Sequence, residues 1–71
     1  MTHAKVQNQV RDLRKDRGLT QDQLAQQVGI ARVSIIAIEN GKYLPTIETA
    51  LKISQALNQP IEIIFQLRGG V

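Results

Sequence analysis

The chain has no cysteine, so neither disulfides nor a thiolate metal site can staple it; apolar packing must hold the fold, and a reducing, cytoplasmic setting is the expectation. Tyr43 and Phe65 are its only aromatic residues, too few to build a stacking platform for single-stranded nucleic acid. No stretch approaches the roughly 18 consecutive apolar residues of a membrane span. The opening residues also lack the apolar run of a secretory signal. Histidine is equally scarce: His3 stands alone, with no second His or Cys to complete a metal site. Ser34 and Ser54 have no histidine to act as a base, and neither a glycine-rich phosphate loop nor H-E-x-x-H occurs. These absences argue against an enzyme and against any cofactor or metal.

What remains is one small domain. With 71 residues, folding can bury only about 60–65% of the unfolded chain's surface. Apolar residues make up 42% and charged residues 21%, a composition that favours a folded domain over disorder. Nine Lys and Arg against six Asp and Glu give a net charge of +3, with an isoelectric point near 9.8. That balance suits an acidic partner such as duplex DNA.

Gly18, Gly29, Gly41, Pro45 and Pro60 cut the sequence into helix-length pieces. Val6, Val10 and Leu13 share a helical stripe over roughly residues 4–17, and Gly18 is placed to close that helix in a left-handed cap. Thr20 and Gln23 form a capping-box pattern that starts a second helix at Gln21. Its inward face is Leu24, Ala25 and Val28, and Gly29 ends it after about two turns. A third helix follows, with Ile35 and Ile38 inward and Asn40-Gly41 as its stop signal. Thr46 can cap a fourth helix with the face Ile47, Ala50, Leu51, Ser54 and Leu57, ending near Asn58. The tail 61–67 reads as a short helix or, alternatively, an edge strand. The domain therefore spans 1–67, and 68–71 reads as a flexible end.

The most informative stretch is 21–39: a short helix, a glycine turn and a second helix, which is helix-turn-helix spacing. In that geometry the second helix enters the major groove and the first meets the backbone. The chain resembles the XRE family of phage Cro and lambda repressor type regulators. The resemblance is carried by Leu13-Arg14, Gly18-Leu19-Thr20-Gln21, Gln23-Leu24-Ala25, Val28-Gly29-Ile30, Arg32, Ser34-Ile35, Ile38-Glu39-Asn40-Gly41-Lys42, Pro45-Thr46 and Ala56-Leu57, over about residues 10–65. It implies a compact all-α, five-helix domain that acts as a dimer on a pseudopalindromic operator. Two positions depart from the family: Ala31 stands where Ser or Thr often caps the third helix, and Val33, Ile36 and Ala37 stand where polar residues are common.

Arg32, on the first turn of the third helix, is the candidate base reader, able to donate both arms to guanine. Val33, Ile36 and Ala37 offer apolar surface to thymine methyls or pack at the edge of the core, and Ser34 reaches a base, a phosphate or its own backbone. Gln21, at a helix N-terminus, is a candidate phosphate contact, with Asn40, Lys42 and Tyr43 beyond the third helix. Arg14 and Glu39 each place a charge beside a buried stripe and so need partners; the family resemblance pairs them in a salt bridge. Lys5, Arg11, Lys15, Arg17, Lys52 and Arg68 read as a solvated face without contacts.

A monomer with one or two base readers discriminates poorly, so a homodimer is expected, with Ile63 and Leu67 as interface candidates. These readings converge on a sequence-specific regulator of transcription that binds double-stranded DNA, expected to repress. The alternative is an antitoxin-type regulator whose main partner is a toxin or another protein and which controls its own gene through DNA.

Overall fold

The computed structural model describes residues 5–68, so His3 and residues 69–71 of the expected flexible end lie outside the described residues. The elements run β1 (Val6–Asn8), α1 (Val10–Asp16), α2 (Gln21–Val28), α3 (Arg32–Glu39), α4 (Ile47–Leu57), α5 (Ile61–Ile64) and β2 (Phe65–Leu67). The five expected helices are present, and a two-stranded antiparallel ribbon joins them.

The first helix is shorter than the expected 4–17, because Asn8 marks its start and the residues before it pair with the chain's other end. Asn8 Oδ1 accepts from the Val10 N–H at 3.1 Å, satisfying a donor of the helix's first turn, while Asn8 Nδ2 donates to the Ile38 carbonyl at 2.9 Å. The helix thus begins at Val10. Val6, read as part of the helical stripe, lies instead in the ribbon, where it pairs with Leu67; Gln7 pairs with Gln66 and Asn8 with Phe65.

The tail is both of the alternatives in succession. One turn of helix follows Pro60, whose fixed φ suits a helix start, and at Phe65 the backbone swings to φ −123°, ψ 131° and becomes a strand. Two further bonds extend the ladder: the Gln9 N–H donates to Ile64 at 2.9 Å and the Arg68 N–H to Lys5 at 2.7 Å. The two ends of the domain are thereby joined.

Caps set the other boundaries. After α1, Gly18 takes φ +71°, its N–H donates to Lys15, and the next N–H, of Leu19, donates to Arg14. This is the paired bonding of a Schellman motif, in which glycine adopts the left-handed conformation without a Cβ penalty. Thr20 and Gln23 make both bonds of a capping box, and Thr46 accepts from the Thr49 N–H. Asn58 ends α4 in the left-handed region at φ 55°.

The core joins Val10, Leu24, Ala25, Val28, Ile35, Ile38, Ile53, Leu57 and Ile64, with α2 packed against both α3 and α4. The inward face of α4 differs from the expected one. Ala50 and Leu57 point inward, but the third core residue is Ile53, whereas Ile47 is 78% and Leu51 53% exposed. The helix carries two apolar stripes that share Ala50 and Leu57, and helical spacing allows either to face in. In the observed rotation Ile53 meets α2's apolar face, and half-buried Ser54 stays satisfied at the flank by donating to the Gln59 carbonyl at 2.6 Å.

Candidate nucleic-acid interface

The turn between α2 and α3 is closed by Gly29 at φ +84°, and the chain enters α3 through extended Ala31. Ile35 and Ile38 anchor α3 in the core. Because they lie one turn and more into the helix, its first turn projects from the globule. Arg32 is exposed and its side chain makes no hydrogen bond or ion pair among the described residues; Val33 is 68% exposed. Ser34, Ile36 and Ala37 are half-buried and present only part of their surface outward.

At its other end α3 is tied down by one carboxylate. The Glu39 side chain is fully buried, and Arg14 Nε donates to its Oε2 at 2.7 Å while Arg14 Nη2 donates to Oε1 at 3.4 Å. Gln21 Nε2 adds a bond to Oε1 at 3.1 Å, and Arg11 Nε lies 3.5 Å from the same atom. Arg14, itself buried, also donates from Nη1 to the Leu19 carbonyl at 2.8 Å. Burial by itself would raise the Glu39 pKa. The hydrogen bonds from Arg14 and Gln21, the charge of Arg14 and the bond from Arg11 outweigh it and hold the carboxyl below its ordinary value. No buried polar side-chain atom among the described residues lacks a partner.

Arg14 and Glu39 are therefore together, as are Gln21 and Glu39, a pairing that the sequence did not suggest. Gln21 spends one amide hydrogen on Glu39 and keeps the other for an outside acceptor. Arg11 joins this cluster. Read as part of a solvated face, it is 47% exposed at the side chain, yet it reaches both Glu39 and Asn40, donating from Nη2 to Asn40 Oδ1 at 2.7 Å. The available signal was its spacing: Arg11 precedes Arg14 by three residues, which puts both on neighbouring positions of one helix face.

Beyond α3, Lys42 is exposed and forms no ion pair among the described residues; its backbone N–H donates to the Ala37 carbonyl at 2.9 Å, closing the helix end. Tyr43 is partly exposed on the wall of a pocket of about 340 Å³ that Val6 and Phe65 also line. Ile63 and Leu67, on α5 and β2, are 45% and 69% exposed. The described residues hold no cluster of His, Cys, Asp or Glu able to bind a metal, and no helix among them is long and apolar enough to cross a membrane. Taken together, a cationic and apolar helix end projects between polar and basic groups at either side, a shape suited to a groove bordered by phosphates.

Comparison with known proteins agrees with that geometry. The helix-turn-helix family HTH_3 matches residues 10–64. An HTH-type transcriptional regulator of Methanothermobacter thermautotrophicus is 48% identical over 59 residues, covering 82% of this chain and 86% of the relative. The cryptic phage CTXphi transcriptional repressor RstR of Vibrio cholerae is 33% identical, over 76% of this chain and 49% of RstR. Among solved structures, the restriction-modification controller protein C.AhdI of Aeromonas hydrophila superposes with a TM-score of 0.71 at 30% identity, over 75% of this chain and 80% of that one.

Proposed function

The chain belongs to the XRE-type HTH_3 family of DNA-binding transcriptional regulators, and from that premise we propose that it represses transcription by occupying a pseudopalindromic operator as a homodimer. The observation that carries this reading is the exposed first turn of α3, free of the core that Ile35 and Ile38 hold in place. Arg32 donates to guanine O6 and N7, and Val33 contacts a neighbouring thymine methyl, with Ser34, Ile36 and Ala37 lining the groove behind them. Gln21 on one side and Asn40, Lys42 and Tyr43 on the other contact phosphates and fix the register. The likeness to a phage repressor supports repression as the outcome.

A single module of this kind buries about 600–1,000 Å² on DNA, so useful discrimination calls for two copies. Exposed Ile63 and Leu67 supply apolar surface for that pairing. Two recognition helices about 34 Å apart meet successive major grooves. Selection of bound duplexes from a random pool at two salt concentrations tests the reading. The expected result is enriched, symmetric half-sites about 10 bp apart. Binding that enriches no motif and vanishes with salt would leave only charge attraction and overturn it.

A further inference from the structure

Asn40 and Arg11 meet in a way that gives Arg11 a function in recognition, resting on the DNA-binding reading above. We propose that Arg11 is a positioning residue that turns the Asn40 carboxamide into a phosphate donor. A guanidinium has only donors, whereas a carboxamide has an accepting end and a donating end. With Arg11 Nη2 2.7 Å from Asn40 Oδ1, the carbonyl end is committed to α1 and the amino end is turned away. Asn40 is exposed, and its Nδ2 has no hydrogen-bond partner among the described residues.

The rest of the residue is equally fixed. The Asn40 backbone N–H donates to the Ile36 carbonyl at 3.0 Å, and its neighbour Glu39 is held by Arg14, Gln21 and Arg11. Arg11 is pinned by the same pair of acceptors, since its Nε lies 3.5 Å from Glu39 Oε1. Position makes the arrangement necessary. Asn40 caps the C-terminus of α3, where the helix dipole places partial negative charge and disfavours a phosphate. An unrestrained amide there would present its oxygen about as readily as its nitrogen; the guanidinium selects the donor end and offsets the dipole.

The test is a double-mutant cycle on the full chain, measured against the best duplex from the random-pool selection. Asn40→Ala is expected to weaken binding roughly threefold to tenfold per half-site, the range of one hydrogen bond, and so roughly tenfold to a hundredfold for a dimer on two half-sites. Arg11→Met, which leaves the amide donating about half the time, is expected to cost about twofold per half-site and about fourfold for the dimer. The double variant should bind no more weakly than the weaker-binding single. Arg11→Lys should recover part of the loss beside Asn40 and none beside Asn40→Ala. The salt dependence of Arg11→Met should match the parent, because Arg11 acts through Asn40; a slope reduced by about 0.9 per half-site, or about 1.8 for the dimer, would instead mark a direct ion pair with phosphate and overturn the proposal. Losses that multiply in the double variant, or an Arg11→Met that binds like the parent, would overturn it too. Should Arg11→Met fail to fold, Asn40→Asp decides: it keeps the acceptor for Arg11 while replacing the outward donor with an oxygen, so it should fold and bind no better than Asn40→Ala. Parent-like binding by Asn40→Asp would refute the proposal. A parent chain that selects no duplex sinks the DNA-binding reading itself, a result distinct from each of these.

Discussion

Gln21 Nε2 reaches Glu39 Oε1 across 3.1 Å, joining the first residue of α2 to the last residue of α3. Arg14 brings α1 to the same carboxylate, so three helices converge on one buried charge. The pose of α3 is fixed at its C-terminal end by this knot and along its length by Ile35 and Ile38, which leaves the N-terminal turn free to serve recognition.

Glu39→Ala removes the acceptor and leaves the Arg14 guanidinium buried without its counter-charge. Breaking one side of a buried pair typically costs about 3–5 kcal/mol, a large part of the roughly 5–15 kcal/mol that holds a small domain together. Urea unfolding at neutral pH should show that loss. A cost under about 1 kcal/mol, typical of an exposed pair, would mean the knot adds little to stability.

The same carboxylate sets an acid limit. Its pKa is lower folded than unfolded, so its contribution is complete above the unfolded value, about 4.3, and is lost as pH falls through the folded one. Stability of the parent chain should therefore decline on acidification below about pH 5. Glu39→Gln, less stable at neutral pH, should show a shallower decline over the same window. Parallel curves for the two proteins would remove Glu39 as a source of the pH dependence.

Much of this fold can be read from local chemistry, and the misreadings share a cause. Gly18, the Thr20 and Gln23 pair, Thr46 and Asn58 act within a turn of themselves, so their roles follow from sequence alone. Strand β1 exists because of residues almost sixty positions away, at Phe65–Leu67, and no local pattern announces a partner at that distance. On α4 the period identifies a helix but cannot choose between two apolar stripes, since the choice belongs to α2. The Arg14 and Glu39 pair was legible from two charges stranded beside buried stripes together with the family resemblance. Gln21, which also joins that knot, carries no such sign because a polar residue on an outer face is satisfied equally well by water, and for Arg11 only its spacing from Arg14 hints at a shared partner.

The rotation of α4 is directly measurable. Ile53→Ala deletes a fully buried side chain and should cost about 2–5 kcal/mol. Ile47→Gln and Leu51→Gln, on the outward stripe, should each stay within about 0.5 kcal/mol of the parent. The reverse order in thermal unfolding would show that α4 is turned the other way.

Arg32 offers a test of readout separate from stability, because it is exposed and unpaired among the described residues. Arg32→Ala should leave the melting temperature nearly unchanged while weakening the preferred duplex by about 1–3 kcal/mol per half-site and relaxing preference at one base pair of each half-site. Uniform weakening across all sequences, with a salt slope smaller by about 1 per half-site, would assign Arg32 to phosphate instead.

Ala31 provides the last test, at the N-terminus of α3. Its backbone already has the extended geometry of a capping residue, φ −73° and ψ 150°, but its side chain makes no cap. The Ser34 N–H bonds back to the Ala31 carbonyl at 3.0 Å, a tight turn that a hydroxyl could relieve by accepting from the first-turn donors. Ala31→Ser should therefore stabilise the domain by about 1 kcal/mol and raise the melting temperature by roughly 4–8 °C. If calorimetry finds no rise, the first turn of α3 is already satisfied by solvent, and a hydroxyl at position 31 adds nothing to it.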